Sequence, residues 1–220
     1  MATQTKKSLA SKYGIVLFPG FQSLDVFGPL DVLNVLSRTR PLSLSIIAEK
    51  LSPVSTLPDT PDTATIGQSI VPTHTFETAP DDIEVLIVPG GKGTRDLEAT
   101  QRIVDFLKEA FPKVEYLLTV CTGSSLAARA GILDGHEATS NKGSFTWVTT
   151  QGPKVKWVHE ARWVTSGNIW TSSGISAGID MMYAFIASQD GEEVAARIAI
   201  ASEYVRNTDP KYDPFAKYSG

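Results

Sequence analysis

The chain has 220 residues, of which 42% are hydrophobic and 20% charged, and these values suit one large α/β domain with a substantial core. The formal net charge of −4 gives no electrostatic reason to expect nucleic acid as a partner, and no apolar run approaches the ~20 residues of a membrane span. The single cysteine, Cys121, cannot form an internal disulfide and fits a reducing compartment, so we expect a cytoplasmic protein.

The ends of the chain differ in composition from its middle. Residues 1–12 are polar and lack the apolar centre of a secretion signal, so they predict a short flexible lead. Residues 13–206 carry the patterns of regular structure and form the predicted domain. Residues 207–220 are polar and aromatic, contain two prolines, and form a predicted C-terminal tail.

Within the domain, strand and helix patterns alternate. The predicted strands are 14–18, 42–48, 70–76, 84–88, 114–120, 137–140, 155–158, 162–165 and 169–171. The predicted helices are 23–37, with a break near Pro29, then 100–111, 122–130, 144–150, 176–188 and 192–206. Residues 50–67 predict a long loop. This alternation predicts a single-domain α/β fold whose mostly parallel sheet is covered by helices on both faces.

Cys121 stands where the predicted strand 114–120 meets the predicted helix 122–130. A thiol at such a corner faces the helix N-terminus, whose dipole and free N–H groups favour the thiolate over the thiol. Open α/β sheets place their ligand crevices at corners of this kind. Cysteines in α/β cores are more often inert apolar residues, but the neighbours of Cys121 favour a functional role.

Those neighbours come from two other strand ends that a parallel sheet brings to the same edge. Asp25 begins the helix after the first strand, where its carboxyl can hold a thiol and relay a proton, or simply cap the helix. Gly90 and Gly91 follow the strand 84–88, and their N–H groups, with that of Thr122, predict an oxyanion hole. The three histidines lack the spacing of metal ligands, so we predict no metal site.

Several segments resemble the DJ-1/PfpI superfamily by their order and spacing: 15–20, 24–29, 88–91, 120–123 and 174–180. The combination of Leu-Asp-x-x-Gly-Pro, Cys-Thr-Gly and Gly-Ile-Ser-Ala-Gly-Ile-Asp is most similar to the isocyanide (isonitrile) hydratase branch. The resemblance implies a flavodoxin-like, class I glutamine amidotransferase-like fold with the cysteine at a nucleophile elbow. It also implies a homodimer, to whose interface the helical residues 28–36 would contribute.

By the same resemblance, Cys121 is the nucleophile, Asp25 its partner carboxyl, Thr122 a polar neighbour and Gly91 an oxyanion donor. Some branches add a histidine after the next strand, but Asn141 stands there, so Asp25 is the expected proton carrier. The implied reaction adds water to a small-molecule isonitrile and gives an N-substituted formamide through a thioimidate on Cys121. No cofactor is required for this reaction.

Three alternatives stay open at this point. The first is the glyoxalase or deglycase-type activity attributed to the superfamily. The second is a non-catalytic redox or stress sensor, in which Cys121 is oxidised to a sulfinic acid. The third is a protein-binding module with a vestigial cysteine.

Overall fold

The computed structural model describes residues 9–59 and 63–218. Its strands are β1 (Lys12–Val16), β2 (Ser43–Ala48), β3 (Val54–Ser55), β4 (Ser69–Ile70), β5 (His74–Thr75), β6 (Val85–Val88), β7 (Tyr116–Val120), β8 (Glu137–Ala138), β9 (Lys156–Trp157), β10 (Trp163–Ser166) and β11 (Ile169–Ser172). Its α-helices are α1 (Ser23–Leu36), α2 (Gln101–Ala110), α3 (Gly123–Arg129), α4 (Phe145–Gln151), α5 (Ser176–Asp190) and α6 (Glu192–Ala201). Short 3-10 turns cover Lys92–Arg95, Lys142–Ser144 and Ala216–Tyr218.

The central sheet has the strand order β10-β11-β7-β6-β1-β2-β5. All neighbouring strands in it are parallel except β10, which pairs antiparallel with β11 through a hairpin. Helices α1, α5 and α6 contact one another, and α2, α3 and α4 form a second contacting group. The predicted α/β fold with a mostly parallel sheet flanked by helices is therefore confirmed.

The middle strands of the sheet are continuous apolar runs because both of their faces are buried. A parallel sheet covered on both faces buries every side chain of its central strands, so the strands do not alternate in polarity. In β6 all four residues are fully buried, and in β7 only Tyr116 is partly exposed. Because β7, β6 and β1 are adjacent and parallel, their carboxyl ends lie side by side at one edge.

Two element boundaries differ from the sequence prediction. Helix α1 continues through Pro29 without the predicted break. Proline there removes the hydrogen bond to the Asp25 carbonyl and crowds that carbonyl, and packing of the neighbouring buried residues against α5 outweighs this cost. Helix α6 ends at Ala201, five residues before the predicted end, and the chain then turns at Glu203 with φ of 48°.

At the N-terminal side, residues 1–8 of the predicted lead lie outside the described residues. The end of that lead belongs to the sheet, because β1 begins at Lys12. Backbone N–H groups of Ser11 and Lys12 both donate to the Glu84 carboxylate. Ala10, one residue further back, is buried.

The predicted C-terminal tail packs back onto the domain. The Arg162 N–H donates to the carbonyl of Pro210 at 2.7 Å. Lys142 is buried, and its Nζ lies 3.3 Å from the buried carboxylate of Asp213. The same Nζ donates to three further oxygen atoms at 3.0–3.1 Å, from Thr139, Ser140 and Ala161. The tail therefore supplies the counter-ion of a lysine inside the domain.

No helix in the described ranges, 9–59 and 63–218, combines the length and the apolar character needed to cross a membrane.

Candidate active site

Cys121 directly follows β7 and occupies the left-handed backbone region, with φ of 57°. A residue with a Cβ is strained there, and such strain is held only where the surroundings fix it. Both backbone groups of Cys121 are held by hydrogen bonds, with Ser172 and Ser173 as acceptors and the hydroxyls of Ser124 and Ser140 as donors. The cysteine thus stands at a rigid corner between β7 and α3, as the sequence predicts.

The absence of a side chain at Gly90 lets the loop after β6, residues 89–91 (the β6 loop), approach this corner. A Cβ at Gly90 would lie 2.5 Å from the nitrogen of Thr122 and 2.9 Å from the Cβ of Cys121. Non-bonded carbon and nitrogen atoms do not approach so closely, so any larger residue at position 90 would push the loop away from Cys121. Gly91 has φ of 139°, a conformation that only glycine adopts freely.

Asp25 lies in the first turn of α1 and is fully buried. Its Oδ2 accepts a hydrogen bond of 3.0 Å from the N–H of Gly90. Its Oδ1 is buried and has no hydrogen-bond partner among the described residues. The Cys121 thiol lies close enough to lower the pKa of Asp25, although the contact lacks the geometry of a formed hydrogen bond. The predicted juxtaposition of Asp25 and Cys121 is present.

Thr122 connects the β6 loop to the cysteine. Its Oγ1 accepts hydrogen bonds from the N–H of Gly91 at 2.9 Å and from the hydroxyl of Thr94 at 3.1 Å. The N–H of Gly91 therefore donates to Thr122, and the N–H of Gly90 donates to Asp25. In this structure these N–H groups hold the carboxyl of Asp25 and the hydroxyl of Thr122 beside Cys121. The oxyanion role of Gly90 and Gly91 stays a prediction.

The pKa of Cys121, beside Asp25, differs from that expected for a thiol at a helix N-terminus. Burial, and after it the charge of Asp25, raises the pKa of Cys121 well above its ordinary value. The N–H groups of Thr122 and Ile175 and the Thr122 hydroxyl lower the pKa of the thiol, but by less. The expectation that the thiolate is favoured at rest is therefore wrong, because desolvation of the sulfur outweighs the local N–H dipoles.

Burial also raises the pKa of Asp25, from 3.8 to about 7, and the hydrogen bond from Gly90 and the nearby Cys121 thiol oppose this increase. A carboxyl that titrates near neutral pH can accept and return a proton within one catalytic cycle. Asp25 therefore suits the role of proton carrier for a thiol that is neutral at rest.

The cysteine opens onto a cleft of about 500 Å³. Its lining includes Cys121, Thr122, Gly91 and Asn141, which the sequence singled out, whereas Asp25 lies behind Cys121 and outside the lining. Asn141, the residue that stands where the family resemblance implies a histidine in some branches, lines the cleft, and no histidine lines it among the described residues.

Sequence reasoning missed the remaining residues of the lining, which are Gln22, Pro58, Lys92, Arg95, Ser144 and Ile175. They stand on loops and short 3-10 turns, where no periodic pattern marks a side chain as facing a cleft. Ile175 carries one signal that only the structure reveals. Its φ of 46° is unusual for a β-branched residue, and this conformation turns its N–H toward the sulfur of Cys121.

No group of three or more His, Cys, Asp or Glu side chains within residues 9–59 and 63–218 is arranged to hold a metal ion. Around Cys121 the structure brings together its thiol, the buried carboxyl of Asp25 and the hydroxyl of Thr122. The cleft lining adds the cationic side chains of Lys92 and Arg95 and the hydroxyl of Ser144. A thiol and a carboxyl in contact can form and break one covalent bond to carbon while moving one proton.

Comparison with known proteins gives this site a family context. The chain is 33% identical over 197 residues to an isonitrile hydratase of Pseudomonas putida, a match that covers 89% of the chain and 79% of that protein. It is 30% identical over 108 residues to the deglycase PfpI of Pyrococcus furiosus, covering 49% of the chain and 63% of that protein.

Among solved structures, a ThiJ/PfpI family protein from Pseudomonas syringae superposes with a TM-score of 0.77 at 28% identity. That match covers 94% of this chain and 81% of the other. The model of the DJ-1/PfpI family matches residues 11–188, which contain both Asp25 and Cys121. The chain therefore belongs to the DJ-1/PfpI family.

Proposed function

We propose that this protein is an isonitrile hydratase, which adds water to R–N≡C and releases an N-substituted formamide. The observation that carries the proposal is the fully buried Asp25 carboxyl, which lies beside Cys121 with one oxygen unpartnered among the described residues and with a pKa near 7. The similarity to an isonitrile hydratase over most of the chain supports the isonitrile as the electrophile.

In the first step, the thiol of Cys121 adds to the terminal carbon of the isonitrile. The sulfur–carbon bond forms while the thiol proton passes to the Asp25 carboxylate and from there to the same carbon. One carbon–nitrogen π bond is consumed, and the product is a thioimidate, Cys–S–CH=N–R. A base is required because the pKa of the buried thiol is raised, so that little thiolate exists before substrate arrives.

In the second step, water attacks the thioimidate carbon. Asp25 accepts a proton from this water and passes it to the nitrogen, which gives a tetrahedral S–CH(OH)–NH–R intermediate. The carbon–sulfur bond then breaks as the carbonyl of the formamide forms, and the proton released by the hydroxyl passes through Asp25 to the sulfur. Over the cycle one water molecule is consumed, and both Cys121 and Asp25 recover their starting protonation states.

Direct assay of purified protein tests this function. An aryl isocyanide and methylglyoxal are supplied separately, and their consumption is followed spectrophotometrically, with Cys121→Ser as the control variant. We expect isocyanide loss with equimolar formamide release from the wild type and no turnover by Cys121→Ser. Rapid quenching and intact-mass analysis should detect an adduct on Cys121 whose added mass equals that of the whole isocyanide.

Full isocyanide turnover by Cys121→Ser, or none by the wild type, would overturn the proposal. Consumption of methylglyoxal without isocyanide turnover would instead favour a deglycase or glyoxalase activity. That second candidate is supported by the similarity to the deglycase PfpI, although the match spans only half of this chain. The redox-sensor alternative has less support, because oxidation follows thiolate character and exposure, and Cys121 is only 7% exposed with a raised pKa.

We further propose that the enzyme acts on a small-molecule substrate as a cytoplasmic homodimer without a cofactor. The apolar residues that the sequence assigned to an interface, within 28–36, are mostly buried inside the chain. Leu24 and Phe27 at the start of α1 are 48% and 45% exposed and are the apolar side chains of that helix available to a second subunit. Sedimentation velocity of the wild type and of Phe27→Glu tests the dimer.

A further inference from the structure

Arg95 is the last residue of the 3-10 turn that follows Gly91, and it lines the same cleft as Cys121. Its guanidinium carbon lies 3.8 Å from the centre of the Trp147 ring. Its Nη2 donates a hydrogen bond of 3.0 Å to the hydroxyl of Ser144, which also lines the cleft. The side chain therefore reaches from this 3-10 turn to the wall formed by the start of α4, where stacking and one hydrogen bond hold it in place.

Among the described residues, no acidic side chain neutralises the charge of Arg95. Within the described parts of the chain, Arg95 forms no ion pair, whereas Arg162 pairs with Asp180 and Arg206 with Glu192. Its bond to Ser144 is the only hydrogen bond that it donates to those residues, so most of its five N–H groups are left for another acceptor.

No carboxylate lines the cleft among the described residues, and the thiol of Cys121 is neutral at rest, so neither offsets this charge. Partial burial lowers the pKa of Arg95, and ionisation of Cys121 raises it, which indicates that the two groups sense each other across the cleft. A guanidinium fork matches a carboxylate with two parallel hydrogen bonds, and stacking on an indole leaves its edge free to make them.

We propose that Arg95 binds a carboxylate on the substrate, so that the preferred substrates are isocyano carboxylates whose reactive carbon lies at Cys121 while their carboxylate lies at Arg95. The reactive group named here rests on the proposed function, whereas the carboxylate site rests on the geometry of Arg95 alone. Trp147 and Ser144 act as positioning residues for the guanidinium.

Two acid–ester pairs of different length test the site: isocyanoacetate and 4-isocyanobenzoate, each with its methyl ester. For wild-type enzyme we expect kcat/KM for at least one acid to exceed that for its ester by about tenfold or more, because a charge-assisted pair of hydrogen bonds is lost in the ester. In Arg95→Met, which keeps an unbranched side chain against Trp147, that acid-to-ester ratio should fall to about one. Arg197→Met, a change of the same type at an exposed arginine of α6, should keep the wild-type ratio.

A binding measurement separates this proposal from the proposed function. Calorimetric titration of 4-formamidobenzoate, N-formylglycine and their methyl esters into wild type and Arg95→Met needs no turnover. We expect at least one acid to bind the wild type about tenfold more tightly than its ester, with this difference lost in Arg95→Met.

Acid and ester binding equally to the wild type would overturn the carboxylate site, even if isocyanides are hydrated. An equal loss of both acid and ester turnover in Arg95→Met would also overturn it, because Arg95 would then act on Cys121. If no isocyanide is turned over but the acids bind through Arg95, the site stands and the reaction assignment fails.

Discussion

Replacing Asp25 with asparagine is expected to lower kcat for isocyanide hydration by about 100- to 10,000-fold, the range typical for loss of a positioned general acid–base group. The substitution keeps the size of the side chain and an oxygen for the N–H of Gly90, but it removes the group that takes the proton from the buried thiol. In the wild type, kcat/KM should rise with pH and level off above about pH 7, because Asp25 must be ionised to act as the base. Steady-state rates from pH 5 to pH 9 measure both effects.

The same variant has a second expected effect, on stability. The folded-state pKa of Asp25 lies above the ordinary value of 3.8, so between pH 4 and pH 7 the folded protein binds more protons than the unfolded chain. The free energy of unfolding therefore falls as pH rises through this window, by up to about 4 kcal/mol from this group. Asp25→Asn lacks this loss. The free energy of unfolding of the variant, relative to that of the wild type, should therefore rise by about 2 to 3 kcal/mol from pH 5 to pH 8.

Urea unfolding at pH 5 and pH 8 measures that gain. Asp31→Asn provides the matched control, because Asp31 is an exposed carboxyl on the same helix. Catalytic loss in Asp25→Asn without any relative stabilisation at pH 8 would contradict the buried, weakly acidic carboxyl described here. An active Asp25→Asn enzyme would contradict the proton-carrier role.

The second large effect concerns the ion pair between Lys142 and Asp213. Asp213→Ala should lower the free energy of unfolding by about 3 to 5 kcal/mol, because it leaves the ammonium of Lys142 buried without its counter-ion. Burial already lowers the pKa of Lys142, and Asp213 is the group that offsets this. Asp209 is an exposed carboxylate in the same tail, so Asp209→Ala should lower the free energy of unfolding by less than about 1 kcal/mol.

Removing both charges separates the ion pair from packing in the tail. In the double variant Lys142→Met, Asp213→Ala, part of the lost stability should return, because no uncompensated charge is left inside the domain. Denaturant unfolding of the four proteins completes this test. Equal stability of Asp213→Ala and Asp209→Ala would show that the ion pair is not holding the tail in place.

The strands that build the site were predictable from the sequence because each is a short apolar run that ends in a turn. The runs 14–18, 84–88 and 114–120 correspond to β1, β6 and β7 within two residues at each end. Since parallel strands end at a common edge, the meeting of Asp25 and Cys121 also followed from the order of these runs along the chain.

Hydrogen-bond partners and ionisation states were not predictable, because both depend on three-dimensional neighbours. The sequence offered Gly90 and Gly91 as free donors, whereas the fold assigns their N–H groups to Asp25 and Thr122. It indicated an ionised thiol at the helix N-terminus, whereas burial of the sulfur dominates. Arg95 was missed because its partner, the Trp147 ring, lies about fifty positions further along the chain.

The close approach at Gly90 divides the site into a part that substitution can reshape and a part that it cannot. With a Cβ at position 90 only 2.5 Å from the nitrogen of Thr122, the inner wall tolerates no side chain larger than hydrogen unless the backbone moves. Directed evolution toward new substrates therefore has to work from the outer wall, where Arg95, Asn141 and Ser144 stand. Variant libraries confined to those three positions should yield a much larger share of folded, active clones than libraries that include position 90.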